Sequence, residues 1–212
     1  MLLTNGIWLS TETPPRHGGT AALVLDRDGV LIEEVDYISR PEDVRLEAGA
    51  VDLLVWARAR KFSIVTVTNQ SGIARGRFGW SNFEAVEREL ARQLAMHGLA
   101  LDLTLACPFH PDHTPGYGPS EAHWRKPGAG MIELAATMLG FDPPQSWMIG
   151  DKASDVGAAR NAALAGAVHV LSGHGREERD EALKYAEAGF RVFTARDLAE
   201  AREQLGSALL PG

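Results

Sequence analysis

A single cysteine, Cys107, stands among the 212 residues, so no intramolecular disulfide is available and a reducing compartment suits the chain. No stretch approaches the ~18 apolar residues that a membrane-spanning helix requires. The opening MLLTNGIWLSTETPPRHGG has neither the basic start nor the unbroken apolar centre of a secretory signal. Basic residues are outnumbered, 21 Lys and Arg against 28 Asp and Glu, which leaves a net charge of -7. A nucleic-acid surface needs clustered Lys and Arg, so neither nucleic acid nor membrane is expected as a partner. These absences point to a cytoplasmic protein, expected as a monomer. What is present is ordinary globular material, 45% hydrophobic and 23% charged, in a chain long enough for one full core.

Pro14, Pro15, Gly18 and Gly19 break any regular pattern near the start, so residues 1–19 read as an irregular arm and 20–212 as one domain. Short apolar runs then alternate with amphipathic stretches. Strands are expected at Ala21–Asp26, Ser63–Thr68, Leu101–Ala106, Trp147–Gly150, Ala167–Leu171 and Arg191–Thr194. Between them, Val51, Leu54, Val55 and Ala59 recur at helical spacing, as do Phe83, Val86, Leu90 and Leu94, with Ser81 and Glu84 spaced as a capping box. Met131, Leu134, Ala135 and Met138 mark a further helix, stopped by Gly140. Cys107–Pro127 is rich in Pro, Gly and His and reads as a long loop, a length that is usually functional. Buried strands alternating with helices predict an α/β fold, a doubly wound and mostly parallel sheet. Such folds bind ligands beyond the carboxyl ends of the strands.

The chemistry-bearing residues fall at those ends. Asp26 closes the first strand and Thr68 the second, Asp151 lies just past the fourth, and Lys126 ends the long loop. Asp26 and Asp28 leave a buried strand two residues apart, and Gly29 permits the chain to curl so that both reach one site. A carboxylate attacks phosphorus to give an acyl phosphate, provided that the negative charge is neutralised by a hard cation such as Mg2+. Asp151 is the natural second carboxylate for that ion, Thr68 and Lys126 would steady the phosphoryl oxygens, and Asp28 would protonate the leaving oxygen and then activate water. Each residue alone has a plainer reading: an Asx turn, a strand threonine, a helix cap, a surface lysine. Their joint placement favours the catalytic one.

Taken in order, LVLDRDGV (Leu23–Val30), VTVTNQSGIARG (Val65–Gly76), RKP (Arg125–Pro127) and IGDKASD (Ile149–Asp155) resemble the signature elements of the haloacid dehalogenase (HAD) superfamily of phosphohydrolases. TNQSGIARG and the Cys-Pro-x-His-Pro loop are similar to the branch of the D-glycero-D-manno-heptose 1,7-bisphosphate phosphatases and histidinol-phosphatases, over Ala21 to about Leu171. The resemblance implies a Rossmann-like core with loop insertions in place of a large cap domain, and Mg2+ held by Asp26, Asp28 (through its backbone carbonyl) and Asp151. It implies Asp26 as nucleophile, Asp28 as acid/base, Thr68 and Lys126 as phosphoryl stabilisers, and Asp155 orienting Lys126 or the metal's waters. Tyr37, Asn69, Arg75, Arg125 and Lys152 would bind substrate, a small phosphorylated metabolite.

In that branch the long loop carries zinc on three cysteines and a histidine. Only Cys107 of the four is retained here, with Phe109, Ala122 and Trp124 in the other positions, so no structural zinc is expected. Cys107, His110, His113 and His123 are too loosely spaced to mark a substitute set, and His110 and His123 are expected instead to hydrogen-bond within the loop or touch the substrate. A sugar bisphosphate is the leading substrate, since Arg75 and Arg125 suit a second phosphate; histidinol phosphate or another phosphomonoester is the alternative. A non-enzymatic receiver domain also uses clustered aspartates with a Thr and a Lys, but it phosphorylates an aspartate after its third strand, where this chain offers none.

Overall fold

The structure is a computed structural model that describes residues 1–3, 5–10 and 20–209. Seven strands form one sheet: β1 Trp8–Leu9, β2 Ala22–Leu25, β3 Ser63–Asn69, β4 Leu103–Cys107, β5 Trp147–Gly150, β6 Gly166–Val170 and β7 Arg191–Ala195, in the order β1-β4-β3-β2-β5-β6-β7. All neighbours are parallel except β1, which runs antiparallel to β4. The expected doubly wound α/β sheet is therefore present, with β2 at its centre.

Alternation along the strands explains the two covered faces. Leu23 and Leu25 of β2 point into one apolar cluster, Ala22 and Val24 into the other. The first cluster is closed by α1 (Ala50–Ala59), α3 (Trp80–Ala95) and α8 (Leu198–Ala208) through Leu53, Leu54, Val86, Leu90, Leu198 and Leu205. The second is closed by α5 (Gly130–Leu139), α6 (Ala153–Asn161) and α7 (Gly175–Leu183) through Met131, Ile132, Val156, Ala159 and Ala182. Short helices α2 (Ser71–Ala74) and α4 (Pro119–Trp124) complete the set.

Four expectations need correction. The supposedly irregular arm contains the edge strand β1, because Ile7, Trp8 and Leu9 bury their side chains against the sheet and α3. The breakers Pro14 to Gly19 lie outside the described residues. The long loop contains α4, started by Pro119 at its first turn and capped by Glu121, whose Oε2 accepts the Gly118 N–H at 2.9 Å. The stretch after β6, rich in Glu and Arg and read from sequence only as polar, folds as α7, anchored by Ala182. Helix α3 begins at Trp80, with Asn82 Oδ1 accepting the Gly79 N–H at 3.2 Å, so Ser81 lies inside the helix and Glu84 instead accepts the Trp8 indole N–H at 2.9 Å.

Candidate active site

The carboxyl ends of β2, β3 and β5 bring Asp26, Thr68 and Asp151 together, as the strand-end reading requires. Asp26 extends the central strand by one residue, its N–H donating to Ile149 O at 3.0 Å. The chain then curls back: Gly29 takes a left-handed φ of 79°, and the amides of Leu31 and Ile32 return to Arg27 O. A Cβ on Gly29 would stand 2.6 Å from Asp151 Oδ2, so only glycine lets the turn close over that carboxylate. Lys126 arrives from the loop before α5. Its ammonium pairs with Asp26 Oδ1 at 2.9 Å and Asp155 Oδ1 at 2.7 Å and donates to Val67 O at 2.8 Å.

Asp26, Asp151 and Asp155 are all buried, and each offers a carboxylate oxygen within 4.8 Å of the others. Burial pushes the Asp26 carboxyl up, reinforced by Asp155 and opposed by Lys126. Burial, with Asp155 and Asp26 beside it, pushes Asp151 up to about 8. Asp151 Oδ2 accepts the His174 N–H at 2.8 Å, whereas the buried Oδ1 has no hydrogen-bond partner. Three hard, desolvated oxygen donors against one ammonium fit a divalent cation such as Mg2+. Asp26 and Asp151, two of the expected metal ligands, lie in this cluster with Asp155; Asp28, expected to reach the metal through its backbone carbonyl, contributes no carboxylate to it. The Asp28 carboxylate is turned away by the Arg27 fork (Nε to Oδ1 3.1 Å; Nη2 to Oδ1 2.9 Å and to Oδ2 3.0 Å) and by Gln70 Nε2 at 2.8 Å. Asp155 also holds Lys126, as expected.

Above this floor lies a cleft of about 290 Å³ lined by Asp28, Glu34, Tyr37, Asn69, Gln70, Lys152 and His174, among others. Tyr37, Asn69 and Lys152 therefore face it as expected. Tyr37 holds a left-handed φ of 51°, and its ring packs where a Cβ on Gly72 would be. Asn69 also braces the lysine, because its amide grips the Lys126 backbone at both ends, each bond 3.1 Å. Thr68 is buried, its hydroxyl accepting Gln70 Nε2 at 2.8 Å.

Arg75 and Arg125 are not brought to this cleft. Arg125 Nη1 donates to Phe109 O at 2.8 Å, within the long loop. Arg75 lies between His113 Nε2 at 3.0 Å and His110 Nε2 at 2.8 Å. His110 Nδ1 also faces the Asp112 N–H at 3.2 Å, and a neutral imidazole has only one acceptor for two donors. The substitute metal set does not assemble: the two histidines face Arg75, His123 faces Glu133 at 3.5 Å, and burial pushes the Cys107 thiol up to about 12.

Sequence reading misses a clasp over Asp151. Ser172 Oγ donates to Gly29 O at 2.7 Å, Gly173 (φ 48°) packs against Gly29, and His174 supplies its amide. Glu34, whose carboxyl is pushed up by burial and by Asp28, is also missed; its buried Oε2 has no hydrogen-bond partner, and Lys152 Nζ stands 3.9 Å off. Only Gln70, inside the TNQSG run, carried a sequence signal.

Residues 123–201 match the HAD-hydrolase-like family. The chain is 37% identical over 169 residues to a D-glycero-beta-D-manno-heptose-1,7-bisphosphate 7-phosphatase of Mesorhizobium japonicum, covering 76% of this chain and 74% of that one. A similarly named Vibrio cholerae protein is 35% identical over 162 residues, 76% of this chain and 87% of that one. The crystal structure of D,D-heptose 1,7-bisphosphate phosphatase from B. bronchiseptica, complexed with magnesium and phosphate, superposes with a TM-score of 0.73 at 31% identity, covering 88% of this chain and 99% of that one. A HAD-like structure from Mesorhizobium loti gives 0.79 at 32%, covering 97% and 95%. With its carboxylates and lysine assembled at the sheet edge, the chain belongs to the HAD-like phosphatases, in the family of the heptose-bisphosphate 7-phosphatases.

Proposed function

We propose that the protein hydrolyses the 7-phosphate of D-glycero-D-manno-heptose 1,7-bisphosphate, with Mg2+ and through an acyl phosphate on Asp26. The observation that carries this is the buried contact of Asp26 with Lys126, beside two further carboxylates under a polar cleft. Asp26, Asp151 and Asp155 would hold the cation, which supplies positive charge to offset that of the carboxylates and the phosphate dianion.

The Asp26 carboxylate attacks phosphorus, and Lys126, already 2.9 Å away, orients it and carries positive charge to the phosphoryl oxygens. The Thr68 hydroxyl, its acceptor side taken by Gln70, keeps its proton free to donate to the same group. Asp28, on the cleft wall, gives a proton to the departing sugar oxygen and takes one from the water that opens the acyl phosphate. Lys152 and Glu34 offer a donor and an acceptor to the sugar. No zinc enters this reading, because the loop donors point to separate partners.

Phosphate release is measured with Mg2+ from both anomers of the bisphosphate, histidinol phosphate and simple phosphomonoesters. One bisphosphate anomer should stand well above the rest, and Asp26→Asn should abolish its turnover. Equal turnover by the Asn variant sinks the mechanism; preference for histidinol phosphate sinks the substrate.

A further inference from the structure

Glu87 belongs to none of the motifs, yet it is tied to the acid/base carboxylate through one residue. Arg27 is fully buried. Its Nη1 donates to Glu87 Oε1 at 3.0 Å, while Nε and Nη2 form the fork on Asp28. The guanidinium lies 5.1 Å from the Phe83 ring centroid, and the Arg27 amide donates to Asp26 Oδ1 at 2.7 Å. Gln70 approaches Asp28 from the other side and bridges it to Thr68. One carboxylate suffices to neutralise Arg27, and burying a second costs desolvation, so Glu87 is poorly explained as a stabilising ion pair. What it adds is orientation. A guanidinium held by Asp28 alone pivots with it, whereas Glu87 and Phe83 sit on the 16-residue helix α3, and Trp8 locks that helix through Glu84.

We propose that Glu87 is a positioning residue that fixes Asp28 for proton transfer to the leaving oxygen, acting through Arg27. This rests on the phosphatase reading above. Two leaving groups differ in what the first step needs: expulsion of a sugar alkoxide requires a proton, whereas p-nitrophenolate leaves as a stable anion. Loss of Asp28 alignment therefore harms alkyl phosphates selectively, and kcat/KM isolates the steps up to departure of the leaving group.

The experiment compares kcat/KM for the heptose bisphosphate and for p-nitrophenyl phosphate in wild type, Glu87→Ala and Glu87→Gln, all with Mg2+. Glu87→Ala should lose about 30-fold on the bisphosphate and under about 3-fold on the aryl ester, within the range of general acid catalysis. Glu87→Gln, which keeps an acceptor for Arg27 Nη1 but not the charge, should lose about 5-fold on the bisphosphate and nothing measurable on the aryl ester, and it carries the test should the alanine variant not fold. Equal losses on both substrates, or no loss in either variant, overturn the proposal while leaving the phosphatase reading intact. A wild type that releases phosphate from neither compound overturns both.

Discussion

Lys126 is buried. Burial alone would pull its pKa down, but Asp155 and Asp26 more than reverse that effect and hold it above the usual lysine range. The three groups therefore stand or fall together. Asp155→Ala removes the 2.7 Å partner and the acceptor of the Lys152 N–H at 3.0 Å. It should cost about 3–5 kcal/mol in urea unfolding, the usual result of breaking a buried pair; a loss below about 1 kcal/mol would show that Lys126 is neutral or solvated. Gly173 makes a different case. A Cβ there would meet Asp151 Oδ2 and come within 2.9 Å of Gly29 Cα, at a φ of 48° that disfavours side chains. Gly173→Ala should displace Asp151 and weaken Mg2+ binding by about 10-fold or more, as loss of an outer contact does; unchanged affinity by calorimetry would dismiss the clasp. Asp26, Thr68, Lys126 and Asp151 were legible because strand ends and motif order place them without coordinates. The clasp was not, since Ser172 meets Gly29 only across the folded sheet, 143 residues apart in sequence.

At the scale of elements, the buried strands were legible to within a residue or two because strands covered on both faces are continuous apolar runs. Helices α4 and α7 were not, being short or almost wholly polar; α7 reads GREERDEAL and rests on the sheet mainly through Ala182. Strand β1 was hidden for another reason, since two residues carry no periodicity. Its stability lies in Trp8, whose ring meets Phe83 edge-on at 5.0 Å and whose indole N–H donates to Glu84. Trp8→Ala should therefore destabilise the fold by about 3 kcal/mol, in the range for a buried aromatic truncation. Because Phe83 covers Arg27, the same change should also lower turnover of the bisphosphate. A stable Trp8→Ala protein with full activity would make β1 an ornament of the sheet edge.

Across the whole molecule, the acidic floor links folding, metal and pH. In the metal-free protein Asp151 is pushed up to about 8, from an unfolded value near 4. A carboxyl raised on folding contributes stability while it is protonated, and that contribution is lost as pH climbs from about 4 to about 8. Asp26, raised for the same reason, acts in the same direction. Without metal, the thermal midpoint should therefore fall between pH 6 and pH 8.5 more steeply in wild type than in Asp151→Asn, which has no proton to lose there. Mg2+ binds the ionised carboxylates of the native state alone, so it should raise the midpoint more at pH 8.5 than at pH 6. Its affinity should strengthen with pH by up to about tenfold per unit below 8, one proton being displaced per ion bound. Calorimetry in two buffers of different ionisation enthalpy would count that proton. An affinity flat between pH 6 and pH 8, with no proton released, would mean that the three carboxylates are already ionised without metal, and that Lys126 and Lys152 alone balance their charge.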